Sequence, residues 1–289
     1  MAIALTRFEG LCGFKSLEAI LKTIEENSEL RSVIGMDTYR SFKITIQDFN
    51  ATEEDRKLAL KQVFKSLISC DRTLLQTELQ NIVYRLKDSP DIKINGTTAE
   101  LVNRLWSQFP NDVGIFCALL LNYICLNPGE AFFMAANEPH AYLSGDCVEC
   151  MATSDNVVRA GLTPKLIDVD TLVEMLTYNH GEQRLLQPHY YHSKKYNKEF
   201  QHTLIFDPPI PEFFMMYTEL QSTNFEFDPI DGPSMVIVLE GNGTFEVNNE
   251  VDKVAVGDVL FLASGSELIV NSVDGVKFCR AVCFVEEIL

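Results

Sequence analysis

The sequence predicts a mostly β protein with an inserted all-α domain, its β parts built as jelly-roll barrels. Three observations predict this. Residues 15 to about 109 carry apolar side chains at helical spacing. After Pro110 the pattern turns to short apolar runs punctuated by Asn-Pro-Gly, Ser-Gly and Val-Gly turns. Finally, "PGEAFFMA" and "VGDVLFLA", more than a hundred residues apart, repeat one design of glycine, acid, short strand and loop, as two related β-barrels would.

Along the chain, "MAIALTRFEGLCGF" reads as a short strand in which Ile3 and Leu5 alternate with Ala4 and Thr6, broken by Gly10 and Gly13. "SLEAILKTIEENSELRSVIG" has Ser16 as its cap, Leu17, Ile20, Leu21 and Ile24 as its apolar stripe and Gly35 as its stop. "TEEDRKLALKQVFKSLISC" repeats the design with Leu58, Val63, Phe64 and Leu67, and two further amphipathic segments bring the region to four or five helices. Their charges sit on polar faces, so packing and solvation explain them better than chemistry. "VGIFCALLLNYICL" reads as strand, "DVDTLVEMLTYN" as one helix capped by Asp168 or Asp170, and 179–202 as a solvated, His- and Lys-containing loop. The strands resume at Thr203.

Composition narrows the function. With 289 residues, 46% hydrophobic and 22% charged, the chain has the make-up of a globular protein large enough for two or three domains. The net charge of −17 argues against nucleic-acid binding, which needs a basic footprint, and requires any phosphorylated ligand to be held by a local cluster of cations. Neither a secretory leader nor a run long enough to span a bilayer is present, and the eight Cys lie mostly in apolar stretches. An intracellular protein with free thiols and no membrane or nucleic-acid partner is expected.

The chemistry concentrates in "EPHAYLSGDCVECMATSDNVVRAGLTPK". His140 at a strand start is more often a hydrogen-bonded residue than a ligand, although jelly-roll barrels do use strand-borne His to hold metals. A catalytic zinc needs about three protein ligands, and the stretch offers only His140 and Glu149. Cys147 and Cys150 form one C-x-x-C without a second, in strand-like surroundings, and read as packing residues. On a strand, Cys147 and Glu149 share a face. Glu149 is then a carboxylate in an apolar strand, costly unless paired, and a better site candidate than the sulfurs. Arg159 and Lys165 supply a planar fork and a point charge for an anion.

"PHAYLSGDCVECMATSDNVVRAGLTPKLIDV" closely resembles the signature of the type I mannose-6-phosphate isomerase family in its eukaryotic form. "MAIALTRFEGLCGF", "FPNDVGIFCALLLNYICLNPGEAFFMAANEPHAY" and "DPPIPEFFM" are similar to that family as well. The resemblance covers essentially the whole chain, most weakly between Lys22 and Leu105. It implies a cupin-type fold with the first barrel incomplete. The implied division is 1–14 as a remnant strand of the catalytic cupin domain, 15–110 as the helical domain, 111–202 as the C-terminal half of the catalytic cupin and 203–289 as a C-terminal cupin-like domain.

It also implies a cytoplasmic, monomeric, zinc-dependent enzyme that interconverts mannose 6-phosphate and fructose 6-phosphate through an enediol and feeds GDP-mannose synthesis. By position in the motif, His140 is the metal ligand and Arg159 the catalytic arginine. Glu149 joins Arg159 as catalytic, while Tyr142 and Lys165 bind substrate. The family's other three zinc ligands lie upstream of "MAIALT", so the expectation is a chain truncated at its N-terminus that holds zinc poorly and isomerises little. A catalytically silent cupin-type protein that binds sugar phosphates is the alternative.

Overall fold

The computed structural model describes residues 1–154, 157–221 and 223–283. The chain opens with strands β1 (Ala2–Ala4) and β2 (Phe8–Phe14). A helical layer follows: α1 (Leu17–Glu26), α2 (Ser28–Ile34), α3 (Met36–Gln47), α4 (Glu53–Ile68), α5 (Arg72–Leu86), α6 (Thr98–Gln108) and α7 (Gly114–Leu120). Next come β3 (Leu121–Leu126), β4 (Ala131–Phe132), β5 (His140–Ser144), β6 (Cys147–Glu149) and α8 (Val169–Met175). The remaining strands are β7 (Leu185–Leu186), β8 (His189–Ser193), β9 (Lys198–Phe206), β10 (Phe213–Leu220), β11 (Thr223–Phe227), β12 (Ser234–Val247), β13 (Glu250–Ala255), β14 (Val259–Leu262), β15 (Leu268–Ser272) and β16 (Val276–Cys283).

The helices follow from local chemistry. Ser16 caps α1 through the Ala19 N–H, and Leu17, Ile20, Leu21 and Ile24 are all buried. Thr52 and Asp55 close a capping box at the start of α4. Where one helix is expected from Ser16 to Gly35, Asn27 divides it. Its side-chain amide donates to the Thr23 carbonyl at 2.8 Å and its Oδ1 accepts from Arg85 at 2.9 Å, so α2 leaves in a new direction. On α4, Val63, Phe64 and Leu67 are buried as the spacing predicts, whereas Leu58 is exposed.

Three local readings change. Gly10 lies inside β2 rather than ending it. "GIFCALL" forms helix α7, not a strand: every residue in it is buried, and an apolar run without polar alternation cannot reveal its period. The segment 179–202 is not a loop, since β8 and β9 pair antiparallel within it.

Three sheets result among the described residues: β6-β1-β4-β7, β3-β2-β5, and a nine-stranded C-terminal sheet running β11-β15-β12-β16-β10-β9-β8 with β13 and β14 added on β12. The two small sheets face each other without a closing ladder. Period-two alternation along β1 divides its side chains. Met1 and Ile3 pack with Phe206, Phe213, Met215 and Cys279 of the C-terminal sheet, whereas Ala2 and Ala4 pack with Phe8, Cys12, Leu126 and Phe132 between the small sheets. The helical core reaches β2 through Leu11 and Phe14.

The two echoed motifs occupy matching positions. Gly129 and Gly257 both have positive φ, at 85° and 91°, a region glycine enters without steric cost. Each donates its N–H to the neighbouring strand, to Ala4 O at 2.8 Å and to Val238 O at 2.9 Å. Strands β4 and β14 then pair with β1 and β12. The repeat is one turn-and-strand device used in both β regions.

Candidate functional site

Strand β5 carries His140 and Tyr142 on one face, with Ala141 and Leu143 between and beyond them packed on the helical core. Its partner β2 sets Cys12 opposite His140 and Gly10 opposite Tyr142. The His140 ring is exposed, and its Nδ1 lies 2.9 Å from the Glu138 carbonyl. With Nδ1–H donating to that carbonyl, Nε2 is the nitrogen left to act outward. The ring centroid is 6.1 Å from that of Tyr142.

Tyr142 is the hub. Its ring packs on Phe8 and Phe132 at 5.1 and 6.1 Å, and its hydroxyl donates to Glu149 Oε1. Burial first, then the hydrogen bond to Glu149, pushes the phenol well above its usual range, so Tyr142 keeps its proton at any physiological pH. Glu149 sits opposite Ala2 in the β1–β6 ladder, and its neighbour on that face, Cys147, packs between the two small sheets. The expectation of a carboxylate in need of a partner finds one in Tyr142, although Glu149 itself is exposed rather than sunk in the strand.

Cys147 and Cys150 are free thiols that pack into different clusters, between the small sheets and against the C-terminal sheet respectively. A strand that sends them to opposite sides cannot make a redox pair of them. Burial also pushes the Cys12 thiol, facing His140, up to about 12, which leaves it protonated and inert.

Arg159 is half-buried, with Val158 and Ala160 on either side packed on the helical core, and Lys165 is exposed. Among the described residues, no hydrogen bond or ion pair joins either cation to His140, Tyr142 or Glu149. The structure therefore brings His140, Tyr142 and Glu149 together directly and keeps Arg159 and Lys165 on a separate segment. A cavity of about 570 Å³ between α3 and α4 and another of about 290 Å³ lined by Cys12, Glu138, His180 and Gln183 are lined by none of the five. His189 and His192 are exposed on β8 and belong to no ligand set among the described residues.

Two contributors escape the sequence reading. One is the Glu138 carbonyl that orients His140. The other is Asp112, just ahead of α7. Its Oδ1 accepts from Leu162 N at 2.8 Å and from Gly114 N at 2.6 Å, and its Oδ2 accepts from Thr163 N at 3.2 Å. A side-chain acceptor fifty residues from the backbone amides it holds leaves no periodic or motif signal.

Among the described residues, no three His, Cys, Asp or Glu side chains converge to hold an ion, and one imidazole does not make a zinc site. The described residues do not fit the metal. No described helix is long and apolar enough to cross a membrane.

Residues 33–121 match the family model for the helical insertion domain of type I phosphomannose isomerase, and residues 203–248 match that for the type I C-terminal region. A mannose-6-phosphate isomerase of Cryptococcus neoformans var. neoformans serotype D is 40% identical over 302 residues, covering 97% of this chain and 68% of that protein. The Saccharomyces cerevisiae mannose-6-phosphate isomerase is 40% identical over 272 residues, covering 91% of this chain and 63% of its own length. The chain thus spans about two thirds of the length of these relatives.

In three dimensions, the mannose 6-phosphate isomerase of Salmonella typhimurium, solved with fructose 6-phosphate and zinc, superposes with a TM-score of 0.74 at 24% identity, over 98% of this chain and 66% of that one. At that identity the likeness establishes the fold, which is the mostly β, cupin-type architecture with inserted helices. The identity to the fungal proteins reaches further: this chain belongs to the type I phosphomannose isomerase family.

Proposed function

We propose that the chain acts on hexose 6-phosphates as an aldose–ketose isomerase, interconverting mannose 6-phosphate and fructose 6-phosphate. The observation that carries this reading is the 40% identity over 97% of the chain to a protein of that name. The geometry of Tyr142 and Glu149 supports it. In the open-chain sugar the C2–H bond breaks, its electron pair forms the C1–C2 double bond of an enediol, and the carbonyl oxygen at C1 gains a proton. Return of a proton to C1, with loss of the O2 proton, gives the ketose.

Glu149 is assigned to proton transfer, since its carboxylate is exposed and held by one neutral donor. Tyr142 orients Glu149 and contacts the sugar. Arg159 offsets charge on the enediol oxygens, and Lys165 holds the phosphate, both as donors that act where negative charge sits. His140, its Nδ1 held by the Glu138 carbonyl, is the imidazole that the family's zinc would engage, and by itself it does not complete a site. The eight free thiols support a reducing, cytoplasmic setting.

The test measures formation of fructose 6-phosphate from mannose 6-phosphate by the purified chain, with and without zinc. It also measures binding of a hexitol 6-phosphate, which has no carbonyl to isomerise. Turnover together with binding that falls at least tenfold in Arg159→Ala supports the proposal. Binding without turnover, indifferent to chelators and lost in Arg159→Ala, replaces it with a silent sugar-phosphate-binding protein. Neither binding nor turnover overturns both.

A further inference from the structure

We infer that Asp112 is a positioning residue for the segment that carries Arg159 and Lys165, an inference that rests on the roles proposed above for those two cations. The segment from Val157 to Asp168 has neither helix nor strand to hold it. Among the described residues, apart from Asp168, which caps α8 at the segment's end, its hydrogen bonds to the rest of the protein go to one carboxylate. Asp112 Oδ1 receives the Leu162 N–H at 2.8 Å and Oδ2 the Thr163 N–H at 3.2 Å, while Oδ1 also receives the Gly114 N–H at 2.6 Å. Charge-assisted bonds of this kind are about twice as strong as neutral ones. They fix the backbone three and four residues beyond Arg159 and two and three residues before Lys165.

Two steric facts show that the contact is built rather than incidental. A Cβ on Gly161 would lie 2.5 Å from Gly114 Cα and 2.7 Å from Gly114 N. A Cβ on Gly114 would lie 2.5 Å from Leu162 N. The obstructing atoms are backbone and cannot step aside, so the two backbone segments touch at this distance only because both positions are glycine. Leu162 is also held at φ 52°, a left-handed conformation that a leucine adopts only where the surroundings enforce it. The apolar flanks Val158, Ala160 and Leu162 pack on the helical core, and the carboxylate sets their register. A small rotation there would swing the Arg159 fork away from a bound sugar phosphate. Displacement by about 1 Å can cost on the order of a hundredfold in turnover.

The experiment uses the full chain with Asp112→Ala, Asp112→Asn, Arg159→Ala and Asp71→Ala. Asp71 caps α5 by accepting from Thr73 and Leu74, both at 2.9 Å, and serves as a helix-cap control far from the segment in sequence. Each variant is measured for thermal midpoint, amide hydrogen exchange at Leu162 and Thr163, and affinity of the folded fraction for a hexitol 6-phosphate. Asp112→Ala should lose exchange protection at those two amides and bind about 10- to 100-fold more weakly. Asp112→Asn should fall between it and the native chain, because its Oδ1 still accepts from Gly114 and Leu162 while its amide opposes the Thr163 N–H. It also keeps the test open should the alanine variant not fold. Asp71→Ala should lower the midpoint without changing affinity. If Arg159→Ala weakens binding and both Asp112 variants bind as the native chain does, the positioning role is wrong and the assignment of Arg159 survives. If Arg159→Ala itself binds normally, that assignment fails and the inference falls with it.

Discussion

The Tyr142 hydroxyl, carried on β5, donates to the Glu149 carboxylate on β6, tying the three-stranded sheet to the four-stranded one at the proposed site. The relationship makes a separable prediction, because the ring and the hydroxyl do different work. Tyr142→Phe keeps the packing on Phe8 and Phe132 and removes only the donor. It should change stability by no more than about 1 kcal/mol while lowering turnover at least tenfold. Tyr142→Ala removes the packing as well and should cost about 2–3 kcal/mol. Thermal unfolding beside the isomerase assay checks both. A phenylalanine variant as active as the native chain would remove Tyr142 and its bond to Glu149 from the mechanism.

A second prediction concerns the link between the helices and the strand beside His140. Glu9 on β2 is 4% exposed and receives Arg104 Nη1 at 2.6 Å, with Asn95 adding a second bond. Burial works to raise the Glu9 pKa, yet the hydrogen bonds from Arg104 and Asn95 outweigh it and hold the carboxyl below its ordinary value. The folded state therefore binds this proton less readily than the unfolded chain. Its contribution is present in full above the unfolded carboxyl pKa, near 4.3, and is lost as pH falls through the lower, folded value. Glu9→Gln should cost about 3 kcal/mol at pH 7, and denaturant titrations at pH 7 and pH 3.5 should show the difference from the native chain shrinking. A constant difference would mean that the charge is not the stabilising element.

Legibility in the sequence followed the range of the interaction. The stripe of Leu17, Ile20, Leu21 and Ile24 and the caps at Ser16 and Asp168 are set by neighbours within one turn, and the structure contains them. The repeated glycine-acid turns before β4 and β14 are equally local. Helix α7 was not legible, since burial on every side erases the polar face that reveals a period. Nor was the break at Asn27, because Arg85, which fixes it, lies 58 residues away. At the site, the sequence marks Glu149 as a carboxylate that needs a partner, but its partner Tyr142, seven residues away, reaches it from a strand of a different sheet. The hold of Asp112 on Leu162 and Thr163 depends on two backbones meeting at Gly114 and Gly161, which no spacing rule encodes.

The donor set around His140 yields a third prediction. With no second and third ligand converging on it among the described residues, a chelator should leave the thermal midpoint of this chain unchanged, and added zinc should not raise it. A site that bound zinc at a hundred times its dissociation constant would add about 2.7 kcal/mol, a shift of several degrees that scanning calorimetry resolves easily. His140→Ala should be nearly neutral for stability, since the ring is exposed and makes one bond to the Glu138 carbonyl. A zinc-dependent rise that His140→Ala abolishes would show that further ligands gather around this ring.

The last prediction concerns the C-terminal sheet, where Arg280 is 1% exposed on β16. Its Nε donates to Ser234 Oγ at 2.9 Å, while neither terminal nitrogen has a hydrogen-bond partner among the described residues. Burial drives its pKa down to about 10. The folded state thus holds this proton less tightly than the unfolded chain does. The penalty applies in full below about pH 10 and lifts only above it, so at neutral pH burial of this charge works against folding. Its neighbours in register are Met216 and Val236, with Phe278 and Val282 on the same face in an apolar core. A methionine of similar length fits that company without a charge. Replacing a poorly satisfied buried ion by a well-packed apolar residue is often neutral or stabilising by about 1–4 kcal/mol. Arg280→Met should therefore raise the urea midpoint at pH 7, and Arg280→Ala should lower it by leaving a cavity. A methionine variant destabilised by several kcal/mol would mean that the guanidinium contributes to the folded state in a way that its unpaired nitrogens conceal.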